Sequence, residues 1–391
     1  MKIPDEVRAD IPLTKNVAYF DNAATSLTPI PVLEAMKEYY LEYRGNVHRG
    51  VHFLSEKASL AYDEARKKIA RFIHASFDEI IFVKNTTEAL NMVAEGLNLG
   101  ENEKVVTTEL EHHSNFLPFL RLQNSGVKCE VIEATSEGIL SDQVDKIEGA
   151  ALVTCSYISN ALGTILPVKK ISRLSKKEGA LLCVDAAQAA GHMPLDVKEL
   201  NCDFLAFSGH KGPMGPTGIG VLYIKRSIAD AVSPLLLGGG MIKDVSLTSF
   251  VEADPPLRFE AGTPNVAGAI GLGAAADYIE RIGLSTIQKH EKELTDYTLD
   301  AFSEADGLTW YGTRDHHAGV ISFNVEGLNC HDIASILDNH DIMVRSGHHC
   351  ALPLMKRLQL TGTVRASYHC YNTIAEVDRM VSIVKESTAL G

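Results

Sequence analysis

Between residues 80 and 225 the chain alternates short apolar runs with amphipathic stretches, and this constrains the fold more than any other feature. The runs at 80–83, 104–108, 151–155, 180–184, 204–207 and 219–224 have the length of buried strands, not of helices. Stretches between them, such as 87–97 and 169–178, repeat apolar residues at helical spacing. Buried strands punctuated by helices predict an α/β layer around a largely parallel sheet. Such sheets bind ligands at the carboxyl ends of their strands, so the polar residues just after each run are the candidates for chemistry.

Outside that stretch the pattern changes. Residues 238–265 begin with three glycines and pass through Asp254-Pro255-Pro256, which predicts an extended excursion and excludes a helix. A Gly/Ala-rich helix is predicted over 265–279, its small residues allowing close packing. A second alternation follows: helix 285–305, strand 319–324, helix 330–339, strand 341–344 and a terminal helix from Ile374. This divides the chain into a large domain, 16–280, and a smaller α+β domain built from 1–15 with 281–391.

Composition removes several classes of function. A formal charge of −13 argues against a nucleic-acid partner, which needs clustered positive charge. No apolar run reaches the ~18 residues of a membrane span. The first residues, Met1-Lys2-Ile3-Pro4-Asp5-Glu6, lack the apolar core of a secretory signal. Seven scattered cysteines, none at CxxC spacing, fit a reducing cytoplasm better than a disulfide framework. Three His-His pairs (112-113, 316-317 and 348-349) raise the question of a metal. Adjacent residues on an extended segment point to opposite faces, so no metal site is expected.

The candidates follow the predicted strands. Lys211 sits in Ser208-Gly209-His210-Lys211-Gly212-Pro213-Met214, where glycine and proline exclude regular structure. Crowding on such a turn lowers a lysine's pKa, as a Schiff-base amine requires. An ordinary surface turn would look the same. Asp185 closes the run 180–184, where a carboxylate could hold a protonated pyridine nitrogen, although a helix N-cap also suits it. Asn85-Thr86-Thr87-Glu88 opens a helix, so it makes either a phosphate cradle or a simple cap. Glu111-His112-His113 could supply an imidazole for ring stacking or proton transfer. Residues 345–353 read as a loop in which Cys350 lies beside His348, His349 and Arg345, an electropositive setting that favours the thiolate. Arg365 offers a planar fork for a carboxylate, or a structural ion pair.

These segments, in order, resemble the cysteine desulfurases of the SufS type within the class V, fold-type I pyridoxal-phosphate (PLP) aminotransferase superfamily. The likeness spans nearly the whole chain, and includes Tyr19-Phe20-Asp21-Asn22-Ala23-Ala24, His48-Arg49-Gly50-Val51-His52, Ser159-Asn160-Ala161-Leu162-Gly163-Thr164, Val184-Asp185-Ala186-Ala187-Gln188 and Phe259-Glu260-Ala261-Gly262-Thr263-Pro264-Asn265. It implies a fold-type I transferase with a large, mainly parallel-sheet domain and a smaller C-terminal one. It also implies that Lys211 holds PLP and moves protons at the substrate Cα, that Asp185 pairs the ring nitrogen, and that Gln188 contacts the ring hydroxyl. His112 is implied to stack on the ring. Thr86, Thr87, Ser208 and His210 are implied to hold the phosphate, joined by Thr263 from a second subunit of a homodimer. Asn160 and Arg365, with Arg345 and Ala23 beside them, are implied to bind the substrate, and Cys350 to take its sulfur as a persulfide, releasing L-alanine from L-cysteine for iron–sulfur cluster or other sulfur-cofactor synthesis.

Fifteen positions separate Cys350 from Arg365, as in the short-loop subgroup and unlike the IscS/NifS subgroup. A short loop cannot swing a persulfide far, so an acceptor protein of the SufE or SufU kind, or a cluster scaffold, is expected to dock near Cys350. Two departures stand out. The turn after Lys211 is one residue longer than the usual SufS pattern, and Tyr368-His369 is followed by an extra thiol, Cys370, either a second relay or a passive core residue. The rival readings are a selenocysteine lyase or another class V PLP β-lyase such as a kynureninase-like protein, and an inactive sulfur-assembly scaffold.

Overall fold

A computed structural model describes residues 4–388; the first three residues, part of the N-terminal signal reading and of the 1–15 segment, and the last three lie outside it. The predicted alternation forms a seven-stranded sheet in the order Ile80–Val83, Gly220–Ile224, Phe204–Ser208, Leu181–Asp185, Leu152–Ser156, Lys104–Thr108, Lys128–Ile132. The last five run parallel, and only Gly220–Ile224 opposes its neighbours. Strands Leu152–Ser156, Phe204–Ser208 and Gly220–Ile224 are buried along their whole length, which explains their unbroken apolar character. Each predicted run lies within one residue of an observed strand.

Parallel register aligns the strand ends: Ser156 pairs with Asp185, and Asp185 with Ala206. The chain therefore leaves four neighbouring strands at one edge, carrying Glu111-His112, Asn160, Asp185-Gln188 and Ser208–Lys211. Ile80–Val83 runs the same way and delivers Asn85-Thr86-Thr87 there too. Helices Ile30–Glu42, Phe53–Phe72 and Val266–Ile282 pack as one layer. Gly273 lies so close to Phe53–Phe72 that a Cβ there would stand 2.9 Å from the Ala65 Cα, the close approach its small-residue pattern predicts.

The second alternation forms an antiparallel sheet, Leu308–Tyr311, Val320–Val325, Thr363–Ser367, Arg345–Gly347, covered by Leu284–Ser303, Cys330–Asp338 and Ile374–Ser387. The two cores interleave at the N-terminus. Val7 and Ile11 pack into the large one, while Ala18 and Phe20 pack into the small one, where Ala18–Tyr19 pairs with Ile342–Met343. The excursion 238–265 carries an exposed hairpin, Ile242–Val245 with Phe250–Glu252. The loop reading of 345–353 needs correction. Arg345–Gly347 is an edge strand and Leu352–Arg357 a helix, leaving a tight turn between them that carries Cys350. Among the described residues no helix is long and apolar enough to cross a membrane.

Candidate active site

The strand ends and the small sheet enclose a cavity of about 250 Å³. It is lined by Lys211, Cys350, His112, Asp185, Gln188, Thr86, Thr87, Ser208, His210, Asn160, Arg365, Arg345 and Ala23, and also by Ser114, Ser156 and His349. Thr263 is not among them; it is exposed on the excursion and faces a separate cavity with Leu236, Phe259 and Ala261.

One end of the cavity is a donor cluster. Asn85 caps helix Thr86–Gly96 by accepting from the Glu88 N–H at 2.9 Å, so the cap reading holds, and the helix's positive end faces the cavity beside Thr86 and Thr87. Ser208 Oγ accepts from the Thr86 N–H at 3.0 Å and lies 2.8 Å from its hydroxyl. Thr87 and Ser114 share a hydroxyl pair at 2.7 Å, and His210 Nδ1 lies 3.2 Å from the Thr25 hydroxyl. Hydroxyls, an imidazole and a helix N-terminus make a site for a doubly charged anion.

Asp185, 5 % exposed, accepts from the Ala187 N–H at 2.9 Å in a local turn, and no helix follows, so the helix-cap role does not apply. Burial raises its carboxyl pKa, against the pull of Lys211. The Lys211 amine is shifted down, first by burial and then by Arg365 and Arg345, with Asp185 opposing. That shift favours the neutral amine, the form that condenses with a carbonyl. His112 Nδ1 accepts from the Ser114 N–H at 3.1 Å, so the ring proton sits on Nε2. Burial and Lys211 push this imidazole down to about 3, which keeps it neutral. Behind it, Glu111 accepts from Thr108, Asn115 and both the N–H and hydroxyl of Ser156. Gln188 donates to the Ala23 carbonyl at 2.8 Å, tying the N-terminal segment over the strand edge.

The Cys350 side is held differently. His349 and Cys350 both adopt left-handed backbone, φ 52° and 56°. Asn160 Nδ2 donates to the His349 carbonyl at 2.7 Å, and the His113 N–H donates to the Cys350 carbonyl at 2.8 Å. Arg365 donates to the Asn160 carbonyl at 2.9 Å and to Asp21 at 3.1 Å, so its ion-pair reading holds as well. Its Nε, the Asn160 Oδ1 and the His349 Nδ1 are nonetheless buried with no protein partner. Unpaired buried polar atoms are costly, and three around one cavity mark groups that await a ligand. Asp21 carries no local sign of a site role in the sequence, because its partner Arg365 is 344 positions away. Ser114 and Ser156 were missed for the same reason, as small polar residues without a local signature.

Phosphate donors at one end, a carboxylate, a lysine whose pKa burial lowers and the orphaned Arg365 Nε–H form a set that fits PLP. Cys370 lies apart, fully buried with its thiol pKa raised well above normal by burial, which suits a passive core residue.

Comparison with known proteins agrees with this geometry. A model of the Aminotransferase class-V family matches residues 18–380. A probable cysteine desulfurase of Pyrococcus abyssi is 57% identical over 99% of this chain and 98% of its own. The apo structure of a cysteine desulfurase from Thermococcus onnurineus NA1 superposes with a TM-score of 0.98 at 56% identity, covering 100% of this chain and 99% of that one. The Escherichia coli cysteine desulfurase CsdA, in an S-sulfonic acid form, gives a TM-score of 0.92 at 34% identity over 100% and 99% of the two chains. With a family match over most of its length and relatives this similar end to end, the chain belongs to the class-V aminotransferases.

Proposed function

We propose that this chain is a PLP-dependent cysteine desulfurase, converting L-cysteine to L-alanine and passing the sulfur to Cys350. The observation that carries the reading is that the Lys211 amine and the Cys350 thiol line one cavity, close enough for a charge on Cys350 to bear on both Lys211 and Arg365. When bound, PLP supplies an electron sink for negative charge at the substrate Cα. Thr86, Thr87, Ser208 and His210 would hold its phosphate, Asp185 its ring nitrogen, Gln188 its ring hydroxyl and Lys211 its carbonyl carbon. His112, neutral with its proton on Nε2, would lie against the ring.

Arg365 Nε and Asn160, beside Arg345, orient the substrate carboxylate, and Ala23 closes the pocket over it. Lys211 then takes the Cα proton. The Cys350 sulfur attacks the substrate sulfur; an S–S bond forms as the Cβ–S bond breaks, its electron pair leaves with carbon, the proton given up by the Cys350 thiol completes the methyl group, and Lys211 returns the Cα proton to give L-alanine. The persulfide is passed to an acceptor. Because the Cys350 turn is short and clamped, the acceptor, of the SufE or SufU kind or a scaffold, comes to the cavity mouth. A second copy of the chain supplies Thr263 to the phosphate site.

Mass spectrometry after incubation with L-cysteine tests the reading. The wild type should gain a sulfur atom on Cys350. Cys350→Ser should keep a yellow, borohydride-sensitive cofactor yet lose at least about a hundredfold in alanine formation, as loss of an attacking group does. Sulfide release by Cys350→Ser at the wild-type rate sinks the mechanism.

A further inference from the structure

The two departures from the family pattern are linked through His369, the residue before Cys370. His369, in Tyr368-His369-Cys370, places Nε2 2.8 Å from the carbonyl oxygen of Gly212, the first residue of the lengthened turn after Lys211. That turn is tightly made. Met214 is fully buried in left-handed backbone, φ 58°, its N–H bonds the Lys211 carbonyl at 2.7 Å, and the Gly215 N–H bonds the Gly209 carbonyl at 2.8 Å. Gly212 presses on the preceding segment so closely that a Cβ there would stand 2.2 Å from the Ala190 carbonyl oxygen. Two outside side chains bond the turn among the described residues: the Thr28 hydroxyl donates to the Gly215 carbonyl at 3.4 Å, and the His369 ring, from the small domain's strand end, bonds the Gly212 carbonyl next to Lys211 at 2.8 Å.

The proton on that ring is assigned by its neighbours. The Cys370 N–H donates to Nδ1 at 2.7 Å, so the ring hydrogen resides on Nε2 and points at Gly212. The ring stacks on Tyr371 with centroids 5.5 Å apart and lies 4.7 Å from the His192 ring. Glu291, from helix Leu284–Ser303, places Oε1 2.8 Å from His192 Nδ1 and 3.5 Å from His369 Nδ1. The titratable groups facing this cluster are His192, Glu291, His290, Cys370, Tyr371 and, through His192, Lys211. Burial holds both imidazoles down to about 4 and pushes Glu291 up to about 8, so at neutral pH the cluster is uncharged and His369 keeps one N–H.

We propose that His369 is a positioning residue: its single N–H locks the Gly212 carbonyl and thereby sets how the lengthened turn presents Lys211 to the cavity, with Glu291 and His192 holding the ring. The proposal rests on the reading of Lys211 as the cofactor-bearing residue, but the lock itself is a property of the protein alone. The ligand atoms of His192, Glu291 and His369 lie within 4.8 Å of one another, a spacing that a divalent cation also accepts. The Cys370 N–H on His369 Nδ1 disfavours that use of the cluster.

Two variants and one wild-type measurement test it. His369→Leu leaves the buried Gly212 carbonyl unpaired, whereas His369→Gln can restore a donor. In cofactor-free protein, deuterium exchange at the Met214 and Gly215 amides should quicken about tenfold in His369→Leu and stay within about twofold of wild type in His369→Gln. In the holoenzyme, the pH midpoint of the lysine-bound cofactor's absorbance should move in the leucine variant and return in the glutamine one. Unchanged exchange in His369→Leu overturns the lock, and a shared defect in both variants makes the residue merely structural. Faster exchange with an unmoved absorbance midpoint removes the link to Lys211. If neither variant folds, nitrogen-15 NMR of the wild-type histidines decides: His369 should be neutral and protonated on Nε2 at pH 7, and a ring titrating near 6.5 overturns the proposal. Stoichiometric zinc in the purified wild type, absent from His369→Leu, overturns it in favour of a metal centre. A colourless protein that still shows the exchange pattern would refute the cofactor reading and leave the lock standing.

Discussion

Buried ionisable groups are the most demanding residues in this chain, and Glu291 shows how their cost depends on pH. Its carboxyl is pushed from an ordinary 4.5 up to about 8 by burial, with His369 and His290 opposing. A folded-state pKa above the unfolded one means that its contribution is fully present below 4.5 and is lost as pH rises towards 8. His192 and His369 act the other way. Held down from 6.5 to about 4, they make the folded state bind fewer protons, so their cost is relieved as pH rises through that interval. Below 6.5 the two trends oppose each other; from 6.5 to 8 the two histidines no longer contribute, and Glu291 acts together with Glu111, whose carboxyl burial pushes up to about 7 and whose effect has the same sign. Wild-type stability should therefore fall between pH 6.5 and 8, and Glu291→Gln should flatten that fall. Chemical denaturation of both proteins across this range measures it, and parallel curves would show that Glu291 is ionised throughout.

At the scale of elements, the turn carrying Cys350 holds two successive non-glycine residues in left-handed backbone, each costing roughly 1–2 kcal/mol. The clamps that oppose relaxation are the Asn160 amide on the His349 carbonyl, the His113 N–H on the Cys350 carbonyl, and His349 Nε2 against Thr363. Asn160→Ala removes the first, worth about 1 kcal/mol, and should speed alkylation of Cys350 roughly fivefold in the absence of substrate. An unchanged alkylation rate would mean that the strain is held elsewhere. None of this clamp was legible in the sequence, because its partners are 14, 189 and 237 positions apart along the chain and backbone sign is invisible there. What was legible follows from burial. The inner strands carry unbroken apolar runs and were found to within one residue, whereas the edge strand Lys128–Ile132, exposed to half-buried for most of its length, gave no signal. Thr363–Ser367 is fully buried but reads Thr-Val-Arg-Ala-Ser, since its polar side chains serve the site and the ladder instead of a core. Helix Ile30–Glu42 escaped notice for the opposite reason: Leu33, Tyr40 and Leu41 are exposed, so its apolar residues do not trace one face. The candidate site was readable in its order along the chain, as a set of individually ambiguous motifs. The ion pairs that bind those motifs together were not.

At the scale of the whole molecule, the exposed apolar surface carries the argument for a second copy. Val51 and Leu247 are fully exposed, and Phe53, Leu237, Val245 and Val251 are more than half exposed, all on the 51–53 segment or the excursion 238–265 and its approach. The Arg49 guanidinium packs against Gly239 and Gly240, so these segments are neighbours and the exposed residues belong to one region. A large exposed apolar region on a chain of net charge −13 marks an interface with protein, not with nucleic acid. The base of the excursion is rigid: Glu260, 5 % exposed at its side chain, accepts from Arg66, the Tyr62 hydroxyl and the Phe82 N–H. It thus presents Thr263 outward, away from its own cavity and towards whatever covers this face. If a second copy covers it, cofactor retention and association are linked, because each phosphate site is completed by the other chain. Leu247→Asp should then shift the protein to monomers in sedimentation velocity, and Thr263→Ala should leave association intact while weakening PLP retention about tenfold, the loss of one hydrogen bond to a charged group. The monomeric variant should lose at least as much. A monomer that holds PLP as tightly as wild type would place the whole phosphate site within one chain and leave Thr263 to the surface.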